Sequence, residues 1–254
     1  MATAARKKPA AAATTPAVAR PARASRAAPA KAAAPAGAAR KPGVRELAAQ
    51  ATRDAILRAA TKVFARHGFA GGRIEQISKA AKSYDRMIYY YFGSKEGLFI
   101  AVLEDTYRRF NEAESALALD TAQPLQALRD VIHFVWSYYQ KNPEFITLLN
   151  NENLMRGKHI GKSPNARQYS SPVIAITDSV LRSGAAQGLF RADLSARDVY
   201  LMIASMAYFY LSNRYTLSSF LGENLEAPDA LAHWEAFVVD AVQRQVCLPG
   251  ALPG

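Results

Sequence analysis

The chain has 254 residues, 50% of them hydrophobic, a formal net charge of +11 and a single cysteine, Cys247. That length and apolar content allow a small domain plus a larger one. One cysteine excludes intramolecular disulfides and cysteine-cluster zinc sites, and it fits a reducing cytoplasm.

The charge is unevenly spread. Residues 1–50 hold ten Lys/Arg and one acid, residues 51–97 nine and four, and residues 98–254 13 and 16. The positive charge therefore sits at one end, which points to a polyanion partner there. The longest apolar run, Val199 to Leu211, is 13 residues and too short to span a bilayer. The N-terminus has no apolar core segment of the kind a signal peptide needs.

Residues 1–42 are almost entirely Ala, Pro, Lys and Arg. With no recurring bulky apolar residue they are expected to be disordered. One reading is a basic arm that touches phosphates and raises non-specific DNA affinity. Another is a solubilising leader with no role of its own. A transit peptide is a third reading, which the Ser-poor composition fits badly.

Residues 43–51 read as a lead-in, and Thr52 as the N-cap of a first helix from Arg53 to about His67. Its buried stripe is Ile56, Ala59, Ala60, Val63 and Phe64, and Gly68 closes it. Phe69 packs under the turn, and Gly71-Gly72 lead into a second helix. There Ile74, Ile77, Ala80 and Ala81 fall at helical spacing, before a polar break at Lys82-Ser83. A third short helix carries Ile88 and Phe92 on one stripe and Asp85, Arg86, Tyr89 and Tyr90 on the other. Gly93 is placed to end it and Ser94 to cap the next helix. Two short helices about a tight turn form a helix-turn-helix, whose second helix enters the DNA major groove.

Residues 52–98 resemble the N-terminal DNA-binding domain of the TetR (TetR/AcrR-like) family of bacterial transcriptional regulators. The strongest match is Ile88-Tyr89-Tyr90-Tyr91-Phe92-Gly93-Ser94-Lys95-Glu96-Gly97-Leu98, which follows Ile77 at the family's spacing. The family usually has Gly, Val and Ser at the turn; this chain has Lys82, Ser83 and Tyr84. A non-Gly residue in a left-handed turn carries a conformational cost.

Further helices are expected from Ser94 to about Leu119, Pro124 to about Lys141, and Asn142-Pro143 through Leu154. Residues 156–171, with Gly157, Gly161 and Pro164, read as a loop. Helices then follow from Pro172 to about Gln187, from Ser195 to about Tyr215, and from Pro228 to about Val246. The helix after Ser195 is apolar almost all round and must be covered on most sides. No strand pattern appears. The expectation is an all-α chain: an arm over residues 1–42, a helix-turn-helix head over 43–97, and a ligand-binding and dimerisation domain over 98–254. In the family, the last two helices of two subunits form the dimer interface; a buried helix of a monomer is the plainer alternative.

Candidate DNA-binding residues are Arg73, Tyr84, Asp85, Arg86, Tyr89, Tyr90 and Lys95. Arg86 at the start of the recognition helix can grip guanine or a phosphate, or stand as a solvated charge. Tyr84 and Tyr90 can contact phosphate, sugar or a thymine methyl. Tyr89 holds the position where the family uses a tyrosine on phosphate. Lys95 matches the family's phosphate-binding lysine at a helix start. Arg73 can clamp the backbone. Asp85 can accept from cytosine or serve as a helix-N-terminal carboxylate.

The aromatic set Tyr107, Phe110, His133, Trp136, Tyr139, Tyr208 and Phe209 reads first as core. The family places a small-molecule effector pocket among these helices, and Glu152-Asn153 is a polar pair in an apolar helix. The candidate ligand residues are therefore Tyr107, Phe110, His133, Trp136, Glu152 and Asn153. His67, His133, His159 and His233 show no metal-ligand spacing, Ser170-Ser171 has no attached base, and no cofactor or catalytic constellation is evident. The resemblance implies a homodimeric regulator, most often a repressor, that an effector releases from a DNA operator. A nucleoid-associated protein with little sequence preference is one rival, discriminated by footprinting. An α-helical enzyme is another, tested by turnover.

Overall fold

A computed structural model describes residues 43–166 and 172–251. The described residues form nine α-helices: α1 Val44–Gly71, α2 Ile74–Ala80, α3 Asp85–Phe92, α4 Lys95–Ser115, α5 Pro124–Lys141, α6 Pro143–Leu154, α7 Pro172–Ala186, α8 Ala196–Leu221 and α9 Pro228–Val246. No strand occurs among them, and Phe190 and Cys247 make one isolated bridge. The arm over residues 1–42 and the pair Ser170-Ser171 lie outside the described residues.

Three boundaries differ from expectation. The lead-in 43–51 is helical, because Val44 to Ala51 is rich in Ala, Leu, Glu, Arg and Gln, all good helix formers. Thr52 caps nothing: its hydroxyl donates back to Ala48 O at 2.9 Å. Helix α4 stops at Ser115, before Leu119, while Leu117 and Leu119 still pack against the larger core. Helix α8 runs past Tyr215 to Leu221, since nothing breaks it before Gly222, which adopts φ 70°. Helices α5, α6 and α9 each begin with a proline at the first position, where the missing N–H costs nothing. The 156–171 segment includes a 3-10 turn, Ile160–Lys162.

The head is built on one small core. Ile56, Ala60 and Phe64 of α1 meet Ile77 of α2, Ile88 of α3, and Leu98, Phe99 and Val102 of α4. Phe64 and Phe99 meet edge to face at 5.0 Å. A Cβ at Gly72 would lie 2.6 Å from the Phe64 ring, so α1 can hand over to α2 only through glycine. The backbone of α1 breaks at Gly68, φ 67°, where the sequence places its end. In the helix-turn-helix, Lys82 takes φ 50°, so a lysine holds the left-handed position. Ser83 N–H donates to Ser78 O at 2.9 Å and closes that turn.

The larger core is centred on α5. Leu128, Ile132, Val135 and Trp136 pack against Phe110 of α4, Val180 of α7, Ile203 and Ala207 of α8, and Val238 and Val242 of α9. Full burial of each such aliphatic side chain is worth about 1.5–3 kcal/mol. Helix α6 packs on α1, and Leu148 of α6 belongs to the head's core.

Candidate DNA interface and effector cluster

Helix α3 is amphipathic, with Ile88 fully buried behind it. Its outer side carries Tyr84, Tyr89 and Tyr90, which are 71%, 52% and 77% exposed. Arg86 is exposed as well, with its guanidinium 5.3 Å from the Tyr84 ring. These four side chains make one aromatic and cationic surface of the kind that meets phosphates and base edges.

Of the other three candidates, Asp85 and Lys95 have side-chain partners within the protein. The Asp85 carboxylate accepts from the hydroxyl of Ser78, a buried residue of α2. It thereby pins the start of α3 to α2. Lys95 Nζ donates to Ala70 O at 3.3 Å and lies 4.9 Å from the Phe69 ring, so its head is held beside the end of α1. An ammonium has three donors, leaving two for other acceptors. Ser94 caps α4 by accepting from Gly97 N–H at 2.9 Å. Arg73 is exposed at the start of α2, and its backbone N–H donates to Gln76 Oε1 at 3.4 Å.

The six candidate ligand residues do not form one lining. Trp136 is buried and meets Tyr210 at 5.7 Å, which stacks on Trp234 at 5.0 Å. His133 is exposed on the outside of α5, paired with Glu235 of α9. Asn153 is exposed. Glu152 is buried, and its carboxylate accepts from His159 N–H at 2.7 Å and Ile160 N–H at 2.9 Å. The His159 ring contacts the same carboxylate through Nδ1 at 2.8 Å. That ring packs against Phe69 at 4.5 Å and Phe99 at 4.9 Å, in the head's core. Glu152 and Trp136 therefore belong to different clusters.

Tyr107 and Phe110 do lie together. Both contact Phe145, at 5.9 and 5.1 Å. Around them the structure gathers residues outside the six. Tyr208 of α8 donates to Asn150 Oδ1 on α6. Glu114 is fully buried, and Tyr139 nearly so. Burial pushes the Tyr107, Tyr139 and Tyr208 phenols up, with the Glu152 carboxylate and Tyr208 adding to the rise at Tyr107. All three stay protonated donors at neutral pH. The result is a patch of phenols and amides inside apolar helices, between α4, α5, α6 and α8. Its signal in the sequence was partial: Tyr139 and Tyr208 stood out as aromatic, but Asn150 looked like any helix asparagine.

The described residues contain no group of three or more His, Cys, Asp or Glu able to hold a metal, and no helix long and apolar enough to cross a membrane. Phe209 and Leu201 on α8 and Phe237 on α9 stand exposed on the same pair of helices.

Residues 56–102 match the family model described as bacterial regulatory proteins, tetR family, and residues 124–242 the tetracyclin repressor-like C-terminal domain. The chain is 55% identical over 205 residues to the HTH-type transcriptional repressor NicS of Pseudomonas putida, covering 81% of this chain and 97% of that one. It is 30% identical over 160 residues to the HTH-type transcriptional repressor SCO4008 of Streptomyces coelicolor, covering 62% and 77%. Among solved structures it is similar to the protein SCO4942 of Streptomyces coelicolor, with a TM-score of 0.57 and 25% identity over 77% of this chain and 98% of that chain.

Proposed function

The chain belongs to the TetR family of bacterial regulatory proteins, and from that premise we propose how its parts divide the work of a repressor. It is an all-α, DNA-binding transcriptional regulator. The head over residues 43–97 reads the operator, with Arg86, Tyr84 and Tyr90 towards the bases and Tyr89, Lys95 and Arg73 on the backbone. The observation that carries this assignment is the split of α3: Ile88 is wholly buried, while Tyr84, Tyr89 and Tyr90 are all more than half exposed. Asp85 positions the helix through Ser78 and is not assigned a base.

Two copies pair through α8 and α9, and the protein works in the cytoplasm without catalytic turnover. The two recognition helices then address half-sites about one helical turn, roughly 34–36 Å, apart or a multiple of that. A small effector enters among the phenols and amides of α4, α5, α6 and α8. It stabilises the dimer conformer whose helix spacing no longer fits the operator. The relatives' naming as repressors supports repression as the sign of regulation.

The test is footprinting of the dimer on DNA upstream of its own gene, followed by a metabolite panel scored for release. Protection of a palindrome, relieved by one compound, is the expected result. Protection spread evenly along any DNA would favour the nucleoid-associated reading instead.

A further inference from the structure

The chain passes from head to body once, within α4, yet the two also face each other across an open cleft of about 610 Å³. That is within the size range of small-molecule sites, which occur preferentially where two structural units meet. The cleft shares none of the six candidate ligand residues. Its walls are α1 and the α2–α3 turn on one side, and α4, α5 and the start of α6 on the other. Val63, Tyr138 and Phe145 give it apolar surface.

Its charge is one-sided. Arg58, Lys62, Lys82 and Arg109 line it, against Asp105 and Glu144. Asp105 is already taken, by Arg108 at 2.5 Å and Arg109 at 2.8 Å. Arg58, Lys62 and Lys82 make no ion pair among the described residues, which leaves Glu144 as the only uncommitted acid in the lining. Three free cations around an apolar wall suit an anionic head group on an apolar body.

We propose that this cleft is a second small-molecule site, meeting the phenol and amide cluster only at Phe145 and Tyr138, for an organic anion with a carboxylate or phosphate head and an apolar body. Such a ligand touches Lys82 in the helix-turn-helix turn and the body at once. It therefore favours one setting of the head on the body and changes operator affinity accordingly.

The probes are benzoate, phenyl phosphate and the neutral benzamide, titrated into the full chain without DNA at matched ionic strength by calorimetry. Benzoate or phenyl phosphate is expected to bind about tenfold tighter than benzamide, as charge-assisted hydrogen bonds are the stronger class. The two anions together decide between a carboxylate and a phosphate head. The double variant Arg58→Gln/Lys62→Gln changes two exposed side chains, so its melting curve should match the parent. It should bind the anions no better than benzamide. Glu144→Gln should bind them more tightly than the parent does. Equal affinities for all three probes, or undiminished anion binding by a folded double variant, would overturn the proposal.

Discussion

Glu152 and His159 are seven residues apart and form a buried staple: one carboxylate accepts both the backbone N–H of His159, at 2.7 Å, and contacts its ring Nδ1, at 2.8 Å. The same carboxylate takes Ile160 N–H at 2.9 Å. The staple folds the segment after α6 onto the head, where the His159 ring meets Phe69 and Phe99. Removing the carboxylate leaves several buried donors without an acceptor, at about 1–3 kcal/mol each. Glu152→Ala should thus lower stability by at least about 2 kcal/mol, with Glu152→Gln milder because an amide oxygen still accepts. Urea unfolding measures both. A stable Glu152→Ala variant with altered effector response would restore Glu152 to the ligand site.

Trp136 is predicted to behave as core. It is buried against Tyr210 on the α8–α9 side of α5. Trp136→Ala should cost about 3–5 kcal/mol, the usual range for a large aromatic truncation. Tyr208→Phe removes only the hydroxyl that donates to Asn150. It should change effector response by more than it changes the melting temperature. Were the two variants to exchange these behaviours, the effector cluster would have to move to the α5–α8–α9 junction.

The head was legible in the sequence because short period and punctuation agree there. Ile77, Ile88, Gly93 and Ser94 each do locally what the tertiary structure requires. Boundaries failed where no residue punctuates. The Ala-rich 43–51 stretch contains no breaker, so α1 runs through it, and Thr52 turns its hydroxyl back into the helix. The ligand candidates are dispersed over several clusters for another reason. His133 and Trp136 share a helical face by spacing, yet Trp136 is buried against Tyr210 of α8 while His133 stays outside with Glu235 of α9. Glu152 finds its partner in a non-periodic segment, where spacing carries no signal.

The dimer prediction is sharpened by what each apolar residue of α8 already does. Val199, at the start of the long apolar run, is buried within its own protomer. Met206 is half-buried, and its carbonyl accepts from Trp234 Nε1 at 3.3 Å. Phe209 is 57% exposed and so available to a partner. Phe209→Glu should place an unpaired charge in the contact and leave the protomer folded. Sedimentation is expected to show monomer, with operator affinity falling in parallel. A folded dimer of normal affinity would remove α8 from the interface.

The basic segment over residues 1–42 should act through counterion release and not through base reading. Deleting it should weaken binding to operator and random DNA together and flatten the dependence on salt. Unchanged affinities and slopes would reduce it to a leader.

The last prediction separates reading, holding and positioning among three residues of the head. Arg86 is exposed on α3 beside Tyr84, so Arg86→Ala should cost about 1–3 kcal/mol on the operator and relax preference at one base pair per half-site. Lys95 sits at the start of α4 with its ammonium against Ala70 O, next to the end of α1. Phosphate contacts position without specifying, so Lys95→Ala should weaken operator and random DNA alike and lower the salt slope. Asp85 is bonded to Ser78, so Asp85→Ala should lower head stability by about 1.5–3 kcal/mol, the worth of a bond to a charged group, although the Ser78 hydroxyl can still donate to Glu75 O at 3.2 Å. It should reduce affinity while the preferred sequence stays the same. Selection on randomised operators, run for all three variants beside melting curves, distinguishes the roles. A changed preference in Asp85→Ala with unchanged stability would make Asp85 a base reader. A changed preference in Lys95→Ala, with Arg86→Ala retaining the parent's, would mean that α3 lies in the groove on a different face.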